Sequence, residues 1–202
     1  MSHQFWGKLL FNIANLGYVG FALPIAGMLV VWLCARRRWY TALGYAIAVV
    51  GCSACVFLLK LAFFTGNLRL TALGLHNPSG HSAIGAVVYG SLAWIASREM
   101  PGWPGRVLLL LTCAGVAAIG TSLYIIGSHT LPDVIAGLTM GGTWAVAFAL
   151  FGFEDETPTR RFPAGLLLVI AITAVSLQGF HLVPHFEPSN LLLLVPSMMA
   201  PA

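Results

Sequence analysis

Apolar residues run through the chain in long unbroken blocks, and polar residues collect in the short links between them. Six such windows cover residues 16–35, 43–64, 81–97, 107–128, 131–153 and 163–182. Each is close to the roughly 20 apolar residues that a helix needs to cross the hydrocarbon of a bilayer. In lipid only helices and closed barrels satisfy their own backbone groups, and windows this long predict helices. The expected fold is therefore all-α: a polytopic membrane protein, a six-transmembrane-helix bundle in which residues 1–202 form a single integral membrane domain. Ahead of the first window, Phe5 to Phe11 reads either as an amphipathic helix lying at the membrane interface or as irregular chain. Leu191 to Val195, between Pro188 and Pro196, is too short to span. The N-terminal residues show no charged, then apolar, then cleavable leader, so the first window is expected to drive insertion.

Composition excludes a soluble domain. The chain is 58% hydrophobic and 8% charged, with a mean hydropathy of +0.88, whereas a soluble chain is about 25% charged. Lys and Arg number 10 against 6 Asp and Glu, a surplus that reads as a topology signal and not as a nucleic-acid patch. No nucleic acid and no obligatory protein partner is expected beside the lipid bilayer itself. Arg36, Arg37 and Arg38, then Arg98 and Arg106, then Arg160 and Arg161 each follow an odd-numbered window. All seven fall on one face, which the positive-inside rule assigns to the cytoplasm. The opposite face receives Lys8, Lys60 and Arg69, and all six histidines: His3, His76, His81, His129, His181 and His185. Cys34, Cys52, Cys55 and Cys113 lie in or at the ends of apolar windows and read as small buried hydrophobes and not as disulfides or a metal site, despite the redox-like spacing of Cys52 and Cys55.

Candidate chemistry sits in two links on the non-cytoplasmic face. Lys60 is the one charge in its window, about a helical turn from the outer end; an ionisable residue in a span is a functional candidate, with snorkelling as the alternative. Pro78-Ser79-Gly80-His81 opens the third window with a turn, a hydroxyl and helix N-terminal N–H groups, the makings of an anion site with a histidine beside it. In the next outer link, His129 and Asp133 are four residues apart around a helix start whose first turn holds Pro132. That spacing lets the carboxylate accept a hydrogen bond from the imidazole and strengthen its other nitrogen. Asp133 at a helix N-terminus is equally explained as a cap and dipole partner. Taken together, the two links suit phosphoryl transfer, with one histidine attacking phosphorus, another protonating the leaving oxygen, and cations holding the remaining oxygens. Asp133 and Glu187 are the only outer carboxylates, too few for a carboxylate-rich cation site, so no metal and no other cofactor is called for.

With these residues the chain resembles the membrane type-2 phosphatidic acid phosphatases (the PAP2 family), related to vanadium haloperoxidases and glucose-6-phosphatase. The family carries three blocks: Lys, six residues, then Arg-Pro; Pro-Ser-Gly-His; and Ser-Arg, five residues, His, three residues, Asp. The second block is intact at 78–81, and Ser122, His129 and Asp133 keep the spacing of the third. Two positions depart from the pattern. Asn67 and Leu68 stand where the first block has Arg-Pro, leaving Arg69 two residues out of register, and Leu123 replaces the arginine after Ser122. The resemblance implies that His129 forms a phosphohistidine, Asp133 orients it and His81 is the general acid. It further implies that Lys60, Arg69, Ser79, Gly80 and Ser122 bind the substrate phosphate.

The function expected on this reading is a metal-independent lipid phosphate or diphosphate phosphatase, set in a bacterial inner or plasma membrane and acting at the outer leaflet. Candidate substrates are polyprenyl (undecaprenyl) diphosphate, phosphatidic acid, phosphatidylglycerol phosphate and phosphorylated glycolipids. The alternatives are a lipid phosphotransferase using the same phosphohistidine, and a lipid-phosphate binding or transport protein that does not turn over, suggested by Asn67 and Leu123.

Overall fold

The computed structural model describes residues 3–65, 74–100 and 102–152, and among these all regular structure is helical. The helices are α1 (His3–Asn15), α2 (Val19–Ala35), α3 (Trp39–Phe64), α4 (Gly80–Glu99), α5 (Trp103–Ile125) and α6 (Leu131–Phe151). Helices α2 to α6 coincide with the first five apolar windows. Of the two readings of the segment Phe5 to Phe11, the helical one holds, since it lies within α1. Asn67, Leu68, Arg69, the sixth window, Glu187, and the histidines and arginines beyond residue 152 lie outside the described residues.

Three helices, α3, α5 and α6, are each long and apolar enough to cross a membrane. The α1–α2 pair meets the same test as one broken span bent by 45°. The bundle is apolar on its outside as well as its inside: Leu43, Ile47, Val50, Phe57 and Leu58 on α3 and Leu110 and Leu111 on α5 are all exposed. Surfaces like these belong in hydrocarbon. Cys113 is also exposed, so this cysteine does not fill the core role expected of it. Cys52 does, at 0% exposure.

Helix α4 occupies the centre, packed against α2, α3, α5 and α6. Being walled by protein, it carries Ser82, Ser91, Gly85 and several alanines where the outer helices carry Leu and Phe. Small residues let helix backbones approach, which is how helices associate where lipid removes the hydrophobic drive. The closest approach is between α4 and α6. A Cβ on Gly137 would lie 2.3 Å from the Ser79 carbonyl oxygen, and one on Gly141 2.1 Å from that of Ala83.

One end of the bundle is closed by a buried ion pair. Arg38, at the start of α3, reaches Glu99 at the end of α4 with Nη1 to Oε1 at 2.6 Å, and both are buried. This contact brings two of the basic links together, as their alternation with the windows requires, although Arg38 itself is a core residue and not a solvated one. Removing one partner strands the other charge in the core. Glu99→Ala is therefore expected to cost about 3–5 kcal/mol, seen as a lower melting temperature of the detergent-purified protein. The double change Arg38→Met with Glu99→Leu should recover most of that loss. A Glu99→Ala protein that melts like the parent would show that the guanidinium reaches water.

Candidate active site

The opposite end gathers the links 74–79 and 126–130 and the last turns of α3. Lys60 is half-buried one turn before α3 ends. Across from it α4 begins. Ser79 is the N-cap: its backbone is extended, and its Oγ accepts from the Ser82 N–H at 3.3 Å and the Ser82 hydroxyl at 3.0 Å. A Cβ on Gly80 would lie 3.9 Å from Lys60 Nζ, so the ammonium stands against the first turn of α4. The N-terminal N–H groups and the lysine charge act on the same small volume, a potential that favours an anion.

His81 follows, half-buried, its ring 5.6 Å from that of Tyr18 at a tilt of 32°. Tyr18 lies at the break between α1 and α2. Gly17 beside it presses on the His81 backbone, where a Cβ would come within 2.5 Å of the carbonyl oxygen. The bent pair thus backs the outer histidine of the Pro-Ser-Gly-His block. No motif in the sequence marked Tyr18.

His129 is delivered by the end of α5. Gly127 takes φ +81°, and the Gly127 and Ser128 N–H groups return to the Tyr124 and Leu123 carbonyls at 3.0 Å each. This is the paired closure that a glycine after a helix end permits, and it turns the chain sharply toward α6. Thr130 then caps α6 with a reciprocal box: its hydroxyl accepts from Asp133 N–H at 3.4 Å, while its own N–H donates to Asp133 Oδ2 at 3.3 Å.

Asp133 is buried, and its carboxylate is not spent on the imidazole. Oδ1 accepts from the backbone N–H of His76 at 2.9 Å and of Asn77 at 2.8 Å. Oδ2 accepts from Thr130 N–H and, at 2.8 Å, from the Thr130 hydroxyl. Its backbone carbonyl takes the Ser79 N–H at 3.0 Å. Of the two roles open to this residue from its spacing, the geometry adopts the cap and adds an anchor for the neighbouring link. Thr130-x-x-Asp133 is a recognisable capping pattern, but nothing local announces that the same carboxylate binds residues more than fifty positions away.

His129 itself is half-buried. Burial, and then the Lys60 charge, hold its pKa below the usual histidine range; the Asp133 charge and the Asn77 carbonyl act in the opposite direction without overcoming them. A neutral imidazole carries hydrogen on one nitrogen and leaves the other with a free lone pair. Ser122 is differently placed from its expected role. It is 0% exposed, and its hydroxyl donates to Ile119 within its own helix at 2.7 Å. Leu123 packs with Ala14, Ile119 and Val134 in the core. A guanidinium at that position would have to be buried among apolar side chains.

Fold and site thus define an all-helical membrane protein with a lysine, a helix N-terminus and two histidines gathered at one end. Comparison with known proteins makes the class specific. The PAP2 superfamily pattern matches residues 64–156, a stretch that holds both site links and α4 to α6. The likeness read from the motifs is therefore shown over residues 64–156. An uncharacterized 22.5 kDa protein in the cps region of Klebsiella pneumoniae is 28% identical over 143 residues, covering 67% of this chain and 65% of that protein. Phosphatidylglycerophosphatase B of Bacillus subtilis (strain 168) is 31% identical over 87 residues, 42% of this chain and 41% of that protein. The match thus spans just under two thirds of the first relative and about two fifths of the second. No solved structure matches the chain.

Proposed function

We propose that the protein is a lipid phosphate or diphosphate phosphatase that works through a phosphohistidine on His129 at the non-cytoplasmic leaflet. The observation that carries this reading is the convergence of Lys60, the N-terminus of α4 and His129 at the end of the bundle opposite the Arg38–Glu99 pair. In the first half-reaction the free ring nitrogen of His129 attacks phosphorus. The bond from phosphorus to the leaving oxygen breaks, its electron pair stays on oxygen, and His81 supplies the proton. In the second, His81 takes a proton from water as its oxygen attacks the phosphohistidine, and phosphate leaves with His129 restored. Lys60, Gly80 and the N–H groups of the first turn of α4 hold the phosphate oxygens, where preorganised donors stabilise the developing charge. Ser79 caps the helix that presents those N–H groups.

A lipid substrate is supported by an apolar groove of about 280 Å³ along the bundle. Leu16, Tyr89 and Ile119 line it near His81, and Ala96 and Leu108 line it toward the opposite end. The name of the Bacillus relative makes a glycerophospholipid phosphate the first substrate to try. The test is inorganic phosphate release by detergent-purified protein in EDTA, without added metal, across lipid phosphates and diphosphates. Binding without release from every lipid, with or without an acceptor lipid, would overturn the reading in favour of a binding protein.

Acid pH should stop the reaction by protonating the nucleophile. Because burial and Lys60 hold the His129 pKa below 6.5, kcat/KM should fall only as pH drops through a value under that figure. Lys60→Met removes the neighbouring charge, lets imidazolium form more readily, and so moves this acid limb upward while lowering the plateau. A limb that stays in place in Lys60→Met would show that another group controls it.

A further inference from the structure

The break between α1 and α2 meets α4 at the histidine that supplies a proton to the leaving group. We propose that Tyr18, on that break, is a positioning residue for His81: its ring sets the plane of the imidazole, so that the nitrogen carrying the proton points at the leaving oxygen. This deepens the reading of His81 as the general acid and rests on it for its catalytic meaning.

An imidazole turns about its last torsion in a broad well, so its own rotamer preference fixes its plane poorly. A general acid, however, works only within hydrogen-bond reach of the oxygen that takes its proton. The Tyr18 ring supplies the missing restraint. Its centroid stands 5.6 Å from that of His81 at a tilt of 32°, inside the span of about 4.5–7 Å over which aromatic rings attract in offset and edge-on pairs.

Tyr18 is itself held from three sides. Its backbone belongs to both helices: the N–H donates to the Asn15 carbonyl at 3.0 Å, and the carbonyl accepts from the Phe21 and Ala22 N–H groups at 2.9 and 2.8 Å. Gly17 is buried, and a Cβ there would lie 2.5 Å from the His81 carbonyl oxygen and 2.9 Å from Ile119 Cγ2. A larger residue would push the break away from α4. On the other side of that glycine, the hydroxyl of Tyr89, about two turns further along α4, donates to the Leu16 carbonyl at 2.6 Å. Residues 16, 17 and 18 are thus each joined to α4: through Tyr89, through the His81 backbone and through the His81 ring. Because the helix that carries the acid also holds its support, the two keep register with each other.

The experiment compares phosphatidic acid, or the lipid phosphate that releases phosphate fastest, with its analogue in which sulfur replaces the leaving oxygen. A thiol is far more acidic than an alcohol, so sulfur departs without a proton and oxygen does not. Single-turnover release of the lipid product by the full chain in detergent reads the first half-reaction alone. The two substrates share chain and head group, so a change in lipid binding cancels in their ratio. His81→Ala sets the scale: it should lose on the order of 10²-fold or more on oxygen and stay within about tenfold of the parent on sulfur. Tyr18→Leu keeps bulk and removes the ring; it should lose about 10–100-fold on oxygen and no more than about threefold on sulfur, as expected for a misplaced acid. Tyr18→Phe returns the ring and should return the parent ratio. Tyr89→Phe, which removes only the bond to Leu16, should move the ratio the same way by about threefold or more, and it tests the same support should Tyr18→Leu fail to fold.

Equal loss on oxygen and sulfur in Tyr18→Leu would overturn the proposal, because a general packing defect does not distinguish the two. Undiminished release from the oxygen substrate in Tyr18→Leu would also overturn it, as would a Tyr18→Phe protein as impaired as Tyr18→Leu. Sulfur that rescues His81→Ala but not Tyr18→Leu would leave the acid in place and remove Tyr18 alone. Sulfur that fails to rescue His81→Ala would instead strike out the acid itself, and the role of Tyr18 with it.

Discussion

His129→Ala is expected to release no phosphate above the level of a membrane blank. In this mechanism the imidazole makes the first bond to phosphorus, and no neighbouring group can do so in its place. Loss of a covalent nucleophile commonly lowers turnover by on the order of 10⁴-fold or more, with the residual rate coming from binding and electrostatics alone. The α4 N-terminus and Lys60 would survive the change, so the variant should still bind lipid phosphate. Retained binding with abolished release is the signature to look for, using lipid-overlay or quenching titrations beside the release assay. A His129→Ala protein that turns over at even a tenth of the parent rate would sink the phosphohistidine.

The second large effect is expected far from any ionisable group. Gly137→Ala places a methyl 2.3 Å from the Ser79 carbonyl oxygen, where ordinary contact begins near 3.4 Å. Helices α4 and α6 must separate by about 1 Å, which is the scale of misplacement that can cost on the order of 10²-fold in rate. The shift lands on the site itself, since Ser79 begins the anion-binding turn and Asp133 and His129 ride on the start of α6. Gly142→Ala is the control. A Cβ there meets nothing within 4 Å, and alanine in a helix is favoured over glycine by up to about 1 kcal/mol. Helical circular dichroism should be preserved in both proteins, with activity lost in the first and kept in the second. Equal activity in the two would mean that the α4–α6 contact does not set the site.

Helix placement was legible because it depends on the long apolar windows that lipid demands. Residues 131–153 were expected and α6 runs Leu131–Phe151; residues 81–97 were expected and α4 runs Gly80–Glu99. The convergence of the two outer links was also legible, from the alternation of spans and the sorting of charges. What escaped is what depends on partners distant in sequence. Asp133 could be read as capping its own helix, but its hold on His76 and Asn77 needed the fold. Arg38 was legible only as one of three basic residues in a link, since nothing in the run Arg36–Arg38 says that one of the three meets Glu99. The close approach of α4 and α6, by contrast, was written in Gly137-x-x-x-Gly141, a small-residue spacing that permits backbones to touch. Leu123 shows the limit of motif matching from the other direction. The position that the family fills with arginine is here part of the core with Ala14 and Val134.

Because Asp133 holds the link by its backbone, the side chains of His76 and Asn77 play no part in that hold, and both residues are exposed. That hold therefore places no demand on the identity of these two side chains, whereas it does depend on Asp133. The arrangement separates what must be inherited from what can drift. Two permissive positions at the edge of a fixed reaction centre are a place where preference for one head group over another can evolve without relearning the chemistry.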